Sequence, residues 1–214
     1  MEDFSELIAR VEAAGCRAGL AKVEEIQFEP AFRQACESNA CGNYGKCWMC
    51  PPDAGPIDEL IERAKSFRYA LVYQTIGQLE DSYDFEGMME AAHAHSVVSE
   101  KLRPVFASCG FSDALHLGAG GCHVCPVCAK RTDEPCRHPD LAMASLETYG
   151  VNVSQLARLC GMKYINGANT VTYFGARLCF GEKRKRSAGG EDGASRAFGG
   201  GRMGRSRGRA GKVP

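Results

Sequence analysis

No stretch of these 214 residues approaches the roughly 20 consecutive apolar side chains that a membrane-spanning helix requires. The first ten residues, MEDFSELIAR, carry acidic groups where a signal peptide would carry positive charge followed by a hydrophobic run. The expectation is therefore a soluble, cytoplasmic protein with no membrane partner. A dinucleotide-binding fingerprint is missing too, because Gly118-x-Gly120 meets His123 where the third glycine belongs. No segment repeats at solenoid spacing. Net charge is also lacking, at 26 basic against 26 acidic side chains, yet that balance hides a division. From Glu182 to Pro214 stand ten Lys or Arg and three Asp or Glu, which leaves 16 basic against 23 acidic groups in residues 1–181. The body is acidic and the tail is basic.

That tail has almost nothing to bury. Gly, Arg, Ser and Ala dominate it, the composition of a disordered segment, and they set a domain boundary near Gly181. Arg-Gly segments can track a phosphate backbone. Phe198 is the only aromatic there to stack on a base, so a solvated extension is the simpler reading and nucleic acid is not an expected partner.

Cysteine is what the chain has in abundance. In a compartment whose thiol pool keeps cysteines reduced, twelve of them read as metal ligands or redox groups and not as disulfides. Eight fall into two groups: Cys36, Cys41, Cys47, Cys50, and Cys122, Cys125, Cys128, Cys136. The second group is Cys-x2-Cys-x2-Cys-x7-Cys. Three thiolates at equal short steps on one arm, with a fourth returning after a loop, suit a 4Fe-4S cluster, as in the ferredoxin run. Structural zinc more often takes two separated Cys-x2-Cys knuckles, so a zinc-ribbon variant is the alternative. The spacing also differs from the Cys-x3-Cys-x2-Cys of radical S-adenosylmethionine enzymes. Gly118, Gly120 and Gly121 let the backbone pass close to such a cluster and free amide N–H groups for its sulfides.

His123 and His138 lie inside this group, but with four thiols present they read as neighbours of the ligands or as surface residues. Arg137 can stabilise a negatively charged cluster or receive an anionic partner. The first group is Cys-x4-Cys-x5-Cys-x2-Cys-Pro-Pro, a spacing with no standard counterpart. It reads as a second metal centre of open identity, with Lys46 nearby and with Tyr44 and Trp48 either shielding it or simply packing. Cys16, Cys109, Cys160 and Cys179 stand alone and read as small buried hydrophobes. His93 and His95, two apart in a helical pattern, turn to opposite faces and make a poor metal pair. Glu147 and Tyr149 are conceivable acid–base groups or parts of a solvated face.

Apolar spacing predicts helices over residues 3–15, 56–64, 84–108 (kinked or divided at Pro104), 141–150 and 153–161, and strands over 20–30, 69–77, 113–117 and 168–180. Residues 31–55 read as an ordered loop opening with a helical turn. Helices alternate with strands, so the expected fold class is α+β: a single mixed α/β domain over 1–181 bearing two cysteine-rich metal-binding loops, with a disordered tail over 182–214.

One resemblance is specific. Cys36, Cys41, Tyr44-Gly45-Lys46, Trp48 and Cys50-Pro51-Pro52, followed by Gly120-x-Cys122-x2-Cys125-x2-Cys128, Pro135-Cys136-Arg137-His138-Pro139, Ser145-Leu146-Glu147 and Gly150-Val151, resemble the DUF2284 family. The resemblance spans roughly residues 20 to 180. It implies a metal-binding, cysteine-rich prokaryotic protein whose first ligand set centres on Cys36, Cys41 and Cys50, with Cys47 an addition to the pattern. The family has no counterpart of the basic tail. Three functions follow as expectations: an electron carrier with a 4Fe-4S cluster and a redox-protein partner, a zinc-bearing interaction module, or an enzyme with an open metal position at the first group.

Overall fold

The computed structural model describes residues 4–109 and 113–179, so the tail expected from residue 182 onward lies outside the described residues. The strand β2 (Tyr69–Gln78) organises what is described. Its residues Ala70, Leu71, Val72 and Tyr73 are each exposed by 1 % or less. Side chains alternate along a strand, so burial of both sets means that both faces of the sheet are covered. β2 pairs antiparallel with β1 (Arg17–Lys22) and with β4 (Thr170–Cys179), and β3 (Ala114–Leu117) pairs antiparallel with β4, giving the order β1-β2-β4-β3. The protein is a mixed α/β domain, as the alternating pattern predicts.

On one face Leu71 and Tyr73 pack with Val11 of α1 (Ser5–Glu12) and with Leu102 and Phe106 of α4 (Phe85–Ser108). The opposite face holds Val72, Leu117, Ala176 and Leu178 against Leu60 of α3 (Ile57–Lys65), Leu156 of α5 (Val153–Leu159), and Leu146, Tyr149 and Val151. A short helix, α2 (Phe32–Glu37), precedes the first cysteine loop. Two of the helix starts, those of α4 and α5, are capped by side chains. The Asp84 carboxylate accepts the Gly87 N–H at 2.8 Å and the Asn152 side chain accepts that of Gln155 at 3.1 Å. Among the described residues no helix is long and apolar enough to cross a membrane.

Three elements depart from the pattern. The strand expected over 20–30 is instead β1 followed by a 3-10 turn at Val23–Glu25, whose three-residue period buries Val23 and Ile26 on one side. Phe28 keeps only a single bridge to Val151. Helix α4 runs unbroken through Pro104, which is exposed, so the carbonyl it leaves without a donor can turn to water. Residues 141–150 form only the 3-10 turn Glu147–Tyr149, because the preceding backbone is drawn alongside β3: Gly118 N–H donates to Ala144 O at 2.9 Å and Leu146 N–H to Gly118 O at 3.0 Å. Tertiary pairing overrides the local helical period there.

The face under α4 carries polar groups. The Tyr73 ring lies across Gly175 on the neighbouring strand, where a Cβ would come within 2.2 Å of it. Ser99 Oγ donates to His95 O at 3.0 Å and accepts the Tyr73 hydroxyl at 2.8 Å, so His116 Nε2, 2.9 Å from that hydroxyl, must be the donor to it. Thr75 Oγ1 is 2.8 Å from His95 Nδ1. Burial lowers the pKa of His95 to about 4; burial first, and then Arg177 and Arg103, lower that of His116 to about 3.

Gly175→Ala should therefore displace Tyr73 and cost about 1–3 kcal/mol, read as a lowered urea midpoint. The two histidines are held neutral, so the stability they contribute is present above about pH 6.5 and is lost as pH falls toward their folded values. Unfolding free energy should decline between about pH 6.5 and 4, by up to about 1.4 kcal/mol per pH unit for each group, and His95→Gln should flatten that decline. A slope unchanged in the variant would contradict the assignment.

Candidate metal centre

The first cysteine loop is shaped by left-handed turns at Asn39, Gly42 and Gly45, and Gly45 N–H donates to Pro51 O at 2.9 Å to close it. A tighter turn joins Cys50 N–H to Cys47 O at 3.0 Å. Cys47 and Cys50 are buried within it, Cys36 is half-buried on α2, and Cys41 is exposed. The second loop leaves the end of β3 at Gly118 and holds Cys122, Cys125, Cys128 and Cys136, all half-buried.

These loops dock on each other. Lys130 Nζ lies 2.9 Å from Asp53 Oδ1 and 4.5 Å above the Trp48 ring, while Trp48 Nε1–H donates to Glu134 O at 2.9 Å. Gly121 passes so close to Asn43 that a Cβ there would sit 2.9 Å from its amide. A side chain at this position would make the Asn43 amide turn away.

The docking regroups the thiols. Cys122, Cys125, Cys128 and Cys136 line one cavity, and the fifth cysteine on its wall is Cys47, from the other loop. Trp48, Arg137 and His138 line it as well. The cavity has about 350 Å3 of atom-free space with its open mouth counted, and its heart, about 20 Å3, holds one water-sized body. Cys36, Cys41 and Cys50 form the other association. Cys41 and Cys36 both act on the Cys50 thiol, and Cys41 and Glu147 both raise that of Cys36, on which burial is the largest influence and Arg33 pulls the other way. Among the described residues no three His, Cys, Asp or Glu side chains already form a grip for a single metal ion. The donor chemistry is nonetheless that of a soft metal, since thiolates select zinc, copper(I) or iron–sulfur clusters.

Cys47 is the joint between the two associations. Its pKa falls to about 5, first through the Cys50 thiol and then, against desolvation, through the N–H groups of Met49 and Cys122 and the Cys128 thiol. Cys50 moves in the opposite direction, chiefly because of Cys47. The two thiols titrate as a pair, the first proton leaving below the ordinary thiol range and the second held above it. The four remaining cysteines differ. Cys16 donates to Val11 O at 3.2 Å and Cys109 to Val105 O at 3.2 Å, and burial raises Cys16 and Cys160 to about 11, which leaves those two protonated and unreactive.

Sequence spacing alone did not reveal that Cys47 turns toward the second group, nor the polar layer with His95 under α4. A signal for Cys47 was its place in a Cys-x2-Cys step, which sends two thiols to one turn without saying which way each faces. In metal-free, reduced protein, one thiolate absorbance step should titrate near pH 5 and vanish in Cys47→Ser. Titration of every thiol at about 8 or above would contradict this environment.

No curated protein and no solved structure matches the chain. A family model described as predicted metal-binding protein does match it, over residues 20–179, a span that contains both cysteine loops and the whole sheet apart from the start of β1. The chain belongs to the DUF2284 family of predicted metal-binding proteins.

Proposed function

We propose that this chain is an iron–sulfur protein with an electron-transfer or redox role in a reducing cytoplasm, in which Cys122, Cys125, Cys128 and Cys136 hold a 4Fe-4S cluster and Cys36, Cys41 and Cys50 serve a second metal centre. The observation that carries it is the convergence of all four cysteines of the Cys-x2-Cys-x2-Cys-x7-Cys run on one cavity. When bound, such a cluster supplies one-electron transfer.

The chain's own residues set the surroundings. Trp48, Val124, Ala129 and Ala142 wall the cavity with apolar surface, which lowers the local dielectric. Arg137 adds a guanidinium to the wall, tethered to Glu134 at 3.2 Å, and offsets the negative charge of four thiolates. Val127, between Cys125 and Cys128, is 58 % exposed, so the cysteine arm lies at the surface where a redox-protein partner can approach. The narrow heart of the cavity favours one alternative, a single zinc ion in a structural role, because a cube of four irons requires the thiols to turn outward toward the mouth.

Anaerobic purification followed by metal and sulfide analysis separates these readings. The iron–sulfur reading expects a brown protein bleached by dithionite, with about four irons and matching sulfide at the second group. Cys122→Ala should remove that colour, whereas Cys36→Ala should leave it. A colourless protein containing zinc would overturn the reading.

A further inference from the structure

A second cavity lies between α4 and the turn Gly118–Gly121. His95, Ser99 and Arg103 stand four residues apart along the helix and so share one face, and that face looks inward. His95 and Ser99 are buried, and their hydrogen bonds run to the sheet and to the helix itself, although His95 Nε2 has no partner. Arg103 is different. One amine of its guanidinium donates to Leu141 O, and no carboxylate pairs with it among the described residues.

A second guanidinium lies behind the first, off the cavity wall. Arg177 of β4 rides over the Phe106 ring at 5.8 Å, and its Nε is buried without a partner. The two arginines both act on His116, and Arg103 acts on Arg177. Glu100 is the only acid on the cavity wall among the described residues; it is exposed and outside ion-pair reach of Arg103. In a body with 16 basic and 23 acidic groups, Arg103 is a cavity-wall cation with no acid paired to it, whereas Arg177 stands off the wall and has Asp113 acting on it. Half-buried guanidinium without a counter-charge is costly, and its planar fork of donors matches a carboxylate.

We propose that this cavity binds a small carboxylate, gripped by Arg103 and received on the opposite wall by the amides of Ala119, Gly120 and Gly121, which donate none of the backbone hydrogen bonds of the described residues. The space limits the ligand to a few heavy atoms: about 430 Å3 is atom-free with the mouth counted, and about 30 Å3 is open at the heart. Its location gives the ligand a purpose. Gly121 runs directly into Cys122, and Val124 lines both cavities, so a bound carboxylate lies beside the cysteine centre as a substrate would. The site stands whichever metal the cysteines hold.

Saturation-transfer NMR on the acetate methyl group tests it, using the full chain purified anaerobically with its metal. Transfer to acetate is expected in the wild type. Binding should weaken at least tenfold in Arg103→Gln, with circular dichroism and melting temperature unchanged. Ser96→Leu, which fills the mouth and leaves both arginines in place, should abolish transfer too, and it serves alone if Arg103→Gln does not fold. Absence of transfer in the wild type, or equal transfer in a folded variant, would overturn the proposal. Displacement of acetate by equimolar sulfate would also overturn it, by making the site one for inorganic oxyanions.

Discussion

Contact between the two cysteine loops is the constraint on which the candidate site depends. The cysteine cavity is walled from both loops, by Cys47, Trp48 and Met49 of the first and by the four cysteines of the second. The pair Lys130–Asp53, with side chains 17 % and 16 % exposed, joins the loops in a partly desolvated setting, where removal of Lys130 would strand Asp53, while Lys130 itself also holds Asp133 at 2.9 Å. Trp48 adds a ring beneath Lys130 and a hydrogen bond to Glu134 O. Only because these contacts hold does Cys47 come to lie beside Cys122 and Cys128.

The sheet sets where the loops begin. β3 releases the second loop at Gly118, which is tied by backbone hydrogen bonds to Ala144 and Leu146. The segment continues to Val151, which bridges Phe28 just ahead of α2, and its Glu147 acts on Cys36 of that helix. One buried stretch therefore anchors the roots of both loops. Its packing against β3 and α3 transmits the rigidity of a sheet covered on both faces to a region made of turns.

Much of this was legible in the sequence for physical reasons. The continuous apolar run of Tyr69–Gly77 marked a buried strand, and apolar periodicity marked the helices Ile57–Lys65, with Pro56 at its start, and Phe85–Ser108. Local pattern failed where tertiary pairing decided the outcome, at residues 141–146 and in the strand expected over 20–30. The cysteine spacing identified the thiols but not their partnership, since Cys47 belongs by sequence to one loop and by space to the cavity of the other. The polar layer of Tyr73, His95, Ser99 and His116 was hidden for a different reason. Each of these residues is unremarkable in its own element, and only the packing of two strands, β2 and β3, under one helix face brings them together.

Burying that layer gives little to stability, because its hydroxyl and imidazole groups must recover in hydrogen bonds what they lose in hydration. The central claim remains that thiolates from the second loop enclose a metal cluster. X-ray absorption at the iron edge tests it most directly, on protein purified without air. The account predicts a first shell of sulfur and a second shell of iron. A first shell of nitrogen and oxygen, or zinc in sulfur with no metal neighbour, would contradict it.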